Sequence, residues 1–251
     1  MTPHVAAIWR HPIKSHGREE LARTLLTEGR CIPWDRRWAV AHEMAEIDLQ
    51  DPQWVACSNF SRGAKAPKLM AITARVNLRL QEVTLSHPDL PDLTLNPDKD
   101  PGALIQWVMA ISPTNRALPA HVVRVGKTGL TDTDFPSISL INMASHSAVE
   151  TQLGRKISAN RWRANLFLDG LEPWEERDWI GKTIRVGRAE LEIREHITRC
   201  LATTTSTRTG ERDADTLGAL DAGWGHKQFG IYGVVTKTGD LRQGDAIEVL
   251  G

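Results

Sequence analysis

Cysteine is scarce in this chain. Its 251 residues include three, Cys31, Cys57 and Cys200, widely separated and without CxxC spacing. That argues against a disulfide scaffold, a structural zinc site or an iron–sulfur cluster held within the chain. A charge excess is missing too: 31 lysines and arginines balance 31 aspartates and glutamates, so neither nucleic acid nor an anionic membrane is favoured as a partner. No apolar run is long enough to cross a bilayer, and the N-terminus has no signal-peptide core; the expectation is a soluble protein of the cytoplasm. The nine histidines make no HxH or HExxH cluster, and neither a G-x-S-x-G elbow nor a dinucleotide G-x-G-x-x-G fingerprint occurs. Tyrosine appears once against nine tryptophans. Trp9, Trp38, Trp107, Trp162, Trp174 and Trp179 sit in or beside apolar stretches and are expected to pack the core.

Short strand-like runs dominate the chain. Val5 to Trp9, Arg37 to Ala41, Leu69 to Val76 and Leu78 to Leu85 read as strands, and Pro88 to Gly102 as a loop and module boundary. Asp100-Pro101 predicts the start of a helix through about Ile111, by N-cap and first-turn proline chemistry. Asn142 predicts the cap of a second helix to Leu153, with Gly154 as its stop. Strands return at His121 to Val125, Ala164 to Leu168, Thr183 to Val186, Ala189 to Ile197, Gly230 to Lys237 and Ala246 to Leu250. Asp213 is read as the cap of a short helix through Leu220. The fold class expected is mainly β with helical insertions, a barrel or sandwich and not a doubly wound sheet.

Four segments carry candidate chemistry. Cys200 follows the strand Ala189 to Ile197 beside Arg199 and the hydroxyls of Thr203 and Thr204. A cationic neighbour favours the thiolate, which is both nucleophile and soft metal ligand; a small buried hydrophobe is the alternative. His196 is too far along an extended chain to serve Cys200 as a base. In His11-Pro12-Ile13-Lys14-Ser15, Lys14 and Ser15 are suited to a phosphate, although Lys14 taken alone reads as a solvated surface charge. Trp34-Asp35-Arg36-Arg37-Trp38 reads as a strand in which only one arginine faces a given pocket, or as a weak surface ion pair. Arg161-Trp162-Arg163-Ala164-Asn165, read as the entry to a strand, places Arg161, Arg163 and Asn165 on one face. That face is either opposite an anion or an edge facing water.

Taken in order, HPIKS, DRRWAV, RWRANLFLDG, PWEERDWIGKTIRVGRAELEI, TRCLATT, TGERDAD, FGIYGVV and GDAIEVL resemble the MOSC family. That domain is shared by the C-termini of molybdenum-cofactor sulfurases and the mitochondrial amidoxime-reducing component. The resemblance spans nearly the whole chain. It implies a distorted MOSC β-barrel over residues 105–251, preceded by an N-terminal β-barrel module over residues 1–85.

The resemblance further implies that Cys200 is the protein ligand to molybdenum, or in a second version a carrier of sulfane sulfur. It implies that Lys14, Ser15, Arg36, Arg163 and Asn165 hold the phosphate and pterin of the molybdenum cofactor (molybdopterin), with Arg199, Thr203 and Thr204 bordering the metal. Asp134 and Asn142, in the stretch DFPSISLIN, are expected to line the same pocket. The implied activity is reduction of small N-hydroxylated substrates, with electrons from a separate flavin or iron–sulfur protein. The alternatives are a sulfur carrier with a persulfide on Cys200 and a non-catalytic cofactor-binding or delivery protein. The chain departs from the amidoxime-reducing members at Thr205-Ser206-Thr207-Arg208, where they carry an acidic residue and proline, and at Arg163-Ala164-Asn165, where they carry RPN.

Overall fold

A computed structural model describes residues 2–126 and 129–250. The first half contains β1 (His4–Arg10), β2 (Glu19–Leu21), β3 (Arg23–Leu26) and β4 (Ala39–His42), then β5 (Thr73–Asn77), β6 (Glu82–His87) and β7 (Leu90–Leu95). Helix α1 (Pro101–Met109), β8 (Pro119–Val123), β9 (Ile138–Asn142) and α2 (Met143–Leu153) follow. The remainder is β10 (Leu166–Asp169), β11 (Thr183–Val186), β12 (Ala189–Thr198), α3 (Thr216–Trp224), β13 (Gln228–Lys237), β14 (Gly239–Arg242) and β15 (Ile247–Val249). The fold is mainly β with helical insertions, as the sequence predicts. Among the described residues, no helix is long and apolar enough to cross a membrane.

An eight-stranded sheet in the order β15-β11-β12-β13-β9-β10-β1-β2 is the frame of the molecule. Every described pairing in it is antiparallel except β9 with β10, which a parallel crossover through α2 joins. The cap chemistry of α2 is as expected: the Asn142 side chain accepts from the Ala144 N–H, and Gly154 closes the helix at φ 65°, where a side chain would be strained. Helix α1 likewise starts on Asp100, whose carboxylate accepts from the Ala103 N–H. Helix α3 starts on Asp215, two residues after the expected Asp213.

Alternation in β12 buries Ala189, Leu191 and Ile193 and leaves Glu190 and Glu192 half exposed. The buried set joins Val5, Ile8, Leu140, Leu166 and Ile231 in the main core. β9 is buried along its whole length, with that core on one face and, on the other, Val149, Trp162, Leu220 and Phe229 under α2 and α3. A separate core of Ile13, Trp38, Leu69, Leu85, Leu104 and Trp107 supports the N-terminal half. Trp38, Trp107, Trp162 and Trp179 are buried, whereas Trp9 and Trp174 are half-buried against the third cluster.

Two expected strands are not strands. Trp34–Arg37 is a turn, with Trp34 at φ 68° and Arg36 at φ 47°. Residues Ala159–Trp162 form a 3-10 turn ending at Arg163, φ 49°, so β10 begins only at Leu166. The three residues expected to share a strand face reach their places by a tight left-handed corner instead.

Candidate functional site

Chain reversals, not strand faces, build the polar cleft. Ser15, Arg36 and Arg163 all line it, and all three have left-handed backbones, at φ 63°, 47° and 49°. Non-glycine residues enter that region at a cost of about 1 kcal/mol or more each, so the surrounding contacts must hold them there. Those contacts are visible at Arg36. Its Nη1 donates to Asp35, and also to Asn165 Oδ1 at 3.3 Å, while its Nη2 donates to the Arg163 carbonyl at 3.0 Å. Asp35 in turn accepts from the His11 N–H at 2.7 Å, which ties the HPIKS loop to the DRRWAV turn. Burial works against ionisation of Asp35, but the Arg36 charge and the His11 hydrogen bond keep its carboxyl well below the usual carboxylate range.

Lys14 is 3 % exposed, and its Nζ donates to the carbonyls of Leu130 and Thr131, at 2.9 and 3.0 Å, and to Asp132. Desolvation opposes ionisation of Asp132, yet the charges of Lys14 and Arg36 prevail and hold its carboxyl down to about 2. Arg163 spends one nitrogen on the Gly17 carbonyl at 3.1 Å. Burial, followed by the charges of Arg36 and Arg18, pulls its guanidinium down to about 9. Arg199 donates to the carbonyls of Phe229 and Trp162, both at 2.7 Å, and lies against the rings of Trp162 and Phe229, which stack at 4.0 Å. Desolvation brings it to about 10. Gly230 makes room for it: a Cβ there would lie 3.2 Å from Arg199 Nη2 and 2.5 Å from the Leu140 carbonyl.

Cys200 is exposed. It follows β12 with an extended backbone and opens a 3-10 turn over Leu201–Thr204. The Thr203 N–H and Oγ1 both donate to its carbonyl, at 3.1 Å, and the Sγ is not used in capping. The exposure rules out the buried-hydrophobe alternative for this thiol.

The cleft is about 280 Å³ and brings together Lys14, Ser15, Arg36, Arg163, Arg199, Cys200 and Thr203. Asn165 and Thr204 stand behind its wall. Asn165 is fully buried; its Oδ1 accepts from the Ser139 N–H and Oγ and from Arg36, and its Nδ2 donates to the Trp9 carbonyl. Thr204 Oγ1 donates within its own turn, to the Leu201 carbonyl at 2.8 Å. The structure does not bring Asp134 or Asn142 to the cleft. Asp132 and Asp134 are both exposed, but of the two only Asp132 lines the cleft. The Asn142 amide is spent on the cap of α2 and on Glu176, whose Oε2 accepts from Nδ2 at 2.9 Å. Arg161, Arg62, Cys57 and Tyr232 also line the cleft. Arg161 was visible in the run of alternating arginines; the other three lie in segments with no local signal of a site.

Charge decides what such a cleft accepts. Six cations line it, Lys14, Arg36, Arg62, Arg161, Arg163 and Arg199, against one carboxylate, Asp132. Arg161 pairs with Asp213 at 2.6 Å, yet its buried Nε and Nη1 have no partner, and neither does Arg199 Nη2. Among the described residues, Arg62, Arg163 and Arg199 form no ion pair with any carboxylate. Buried cations with open donors call for an anion. This donor set, with one exposed thiol on the same wall, fits a phosphate-bearing cofactor held to a soft metal.

The MOSC domain family model matches residues 130–248, and the model of the MOSC N-terminal beta barrel domain matches residues 2–134. No curated protein sequence matches the chain. Among solved structures, the YUAD protein from Bacillus subtilis is similar at 14 % identity and TM-score 0.50, covering 99 % of this chain and 96 % of that one. YiiM from Geobacillus stearothermophilus is similar at 19 % identity and TM-score 0.34, over 45 % of this chain and 54 % of that one.

Proposed function

The chain belongs to the MOSC domain family, and from that premise we propose that its cleft binds the molybdenum cofactor and that the protein reduces small N-hydroxylated compounds. One observation carries the reading: the exposed Cys200 shares a cleft with Arg161, Arg163 and Arg199, whose positive charge is incompletely answered by the protein. Cys200 Sγ would hold the metal, while Arg163, Arg36 and Arg199 would hold phosphate and pterin, with Lys14, Ser15 and Thr203 beside them. The bound cofactor supplies oxygen-atom and two-electron chemistry that no side chain offers.

The chain's own residues do the orienting. Arg36 fixes the 35–36 turn against the 161–163 turn, so the two arginines present their charge as one unit. The Thr203 bonds to the Cys200 carbonyl set the direction from which the thiol leaves the backbone. Electrons come from a separate flavin or iron–sulfur protein, in the cytoplasm, because three scattered cysteines supply no cluster of their own.

Metal analysis and pterin fluorescence on freshly purified wild type and Cys200→Ser test the proposal. Molybdenum and pterin in equal amounts to the chain, with the metal lost in the variant, are the expected result. Cyanide-labile sulfur on Cys200 with neither metal nor pterin would instead identify a sulfur carrier. That role has no use for the cationic wall, which is why the cofactor reading is preferred.

A further inference from the structure

A second pocket, of about 190 Å³, adjoins the cleft, and Arg62 lines both. Its walls come from the 58–66 segment and the loop from Ser112 to Pro119. No carboxylate lines it. Its permanent positive charge comes from Arg62, Lys65 and Arg116. The His42 Nδ1 accepts from the Met44 N–H at 3.2 Å, and its Nε2 lies 2.7 Å from the Ser58 carbonyl. Among the described residues, Lys65 and Arg116 have no acidic partner, and the one described hydrogen bond of the Arg62 side chain runs from Nη1 to Cys57 Sγ, 3.0 Å.

Between the cations the lining includes an apolar surface of Phe60, Ala66, Pro113 and Pro119, beside the hydroxyls of Ser58, Ser61 and Ser112. Phe60 is 2 % exposed, and on the cleft side Lys14 Nζ lies 5.8 Å from its ring centroid. The Phe60 ring thus stands between the pocket it lines and the Lys14 ammonium of the cleft, and Arg62 borders both cavities. A rim of three unpaired cations over an aromatic and proline surface suits an organic anion better than a bare inorganic one. The anionic group meets the guanidinium and ammonium groups, and the apolar body meets Phe60 and the prolines.

We propose that this pocket binds the anionic group, a carboxylate or a phosphate ester, of the molecule on which the cleft acts, with the apolar body of that molecule on the Phe60 floor. Selection of an anionic substrate rests on the functional reading above; binding of the anion does not.

The test is calorimetric titration of the purified protein with benzoate, phenyl phosphate and the neutral benzamide, on wild type and on Lys65→Ala/Arg116→Ala. Both side chains are exposed and outside the cleft, so the double variant keeps the fold and the pterin content of the wild type. The expected result is binding of one or both anions but not of benzamide, weakened about tenfold in the double variant and by added salt. Comparison of the two anions tells carboxylate from phosphate ester. Equal binding of benzamide and benzoate, or equal affinity in wild type and variant, overturns the inference. A parallel assay compares reduction of benzamidoxime and its 4-carboxy derivative. Equal turnover of the two also overturns the inference, whereas turnover of neither alongside intact anion binding refutes the functional reading alone.

Discussion

The Arg36 guanidinium is fastened to the Arg163 backbone: Nη2 of Arg36 donates to the Arg163 carbonyl at 3.0 Å, and both residues hold left-handed backbones, at φ 47° and 49°. Neither corner is favourable by itself. Each is kept by the other, and together they place two cations on one wall of the cleft.

Arg163→Gly therefore separates stability from binding. Glycine adopts φ 49° without strain, and the change removes a half-buried cation whose guanidinium desolvation pulls down to about 9. The expected outcome is a melting temperature equal to or above wild type in the cofactor-free protein, together with loss of pterin on purification. Arg36→Lys has the opposite profile. A single ammonium cannot serve Asp35, Asn165 and the Arg163 carbonyl at once, so stability falls by about 1–3 kcal/mol in urea titration.

Asn165 supports the wall from behind, fully buried. Asn165→Ala leaves the Ser139 N–H and the Trp9 carbonyl without side-chain partners in a fully buried place, a loss of about 1–3 kcal/mol. Chemical denaturation reads this directly. Any effect on pterin content is expected to follow Arg36, so Arg36→Lys/Asn165→Ala should lose no more pterin than Arg36→Lys alone.

Anion binding couples to protons. Burial lowers the guanidinium groups of Arg163 and Arg199 to about 9 and about 10, and a bound anion raises both. Sulfate, which does not itself titrate in this range, should bind with proton uptake near pH 9 and with almost none at pH 7. Calorimetry in buffers of different ionisation heat measures this, and no buffer dependence at pH 9 would count against it. Binding to the folded state should also raise the melting temperature with ligand concentration.

Acid should destabilise the protein well before its carboxylates titrate. Burial, joined by the charge of Arg163, lowers His11 to about 3, and burial lowers His16 to about 4. In the unfolded chain both take up a proton near 6.5, so the unfolded state binds more protons between those values. Stability is fully present above about pH 6.5 and is lost as pH falls toward 4 and 3. Asp35 and Asp132 add to the loss only below their unfolded value of about 3.9. Buried Glu176 works the other way, since burial raises its carboxyl, but one group does not offset two histidines. A melting temperature constant from pH 7 to pH 5 would contradict this.

Local chemistry made the helices legible. Asp100-Pro101 and the pair Asn142 and Gly154 announce α1 and α2 because caps depend on a few adjacent residues. The same locality explains the misses. Asp213 and Asp215 are equally good caps on paper, but Asp213 is drawn to Arg161 at 2.6 Å, which leaves the cap to Asp215. Asn142 carried a cap signal and a site signal, and its amide satisfies the cap and Glu176. The left-handed corners at Ser15, Arg36 and Arg163 have no signature in residue type, because tertiary hydrogen bonds impose them; hence the Arg161 to Asn165 run read as a strand. Asp132 stands in a loop with no periodicity to show which of its carboxylates, Asp132 or Asp134, borders the cleft.

In the large sheet, Ile8 of β1 pairs with Leu166 of β10, and β1 has its other neighbour in β2. On the ribosome that strand is finished long before its partner exists. At about 5–20 residues per second the wait is on the order of ten seconds, during which Val5, Ile8 and Trp9 have no sheet to enter. The nascent chain thus spends part of its synthesis with a β-prone edge uncovered, open to chaperones or to other copies. Slowing translation between β1 and β10 should lower the yield of folded protein more than slowing it after β15.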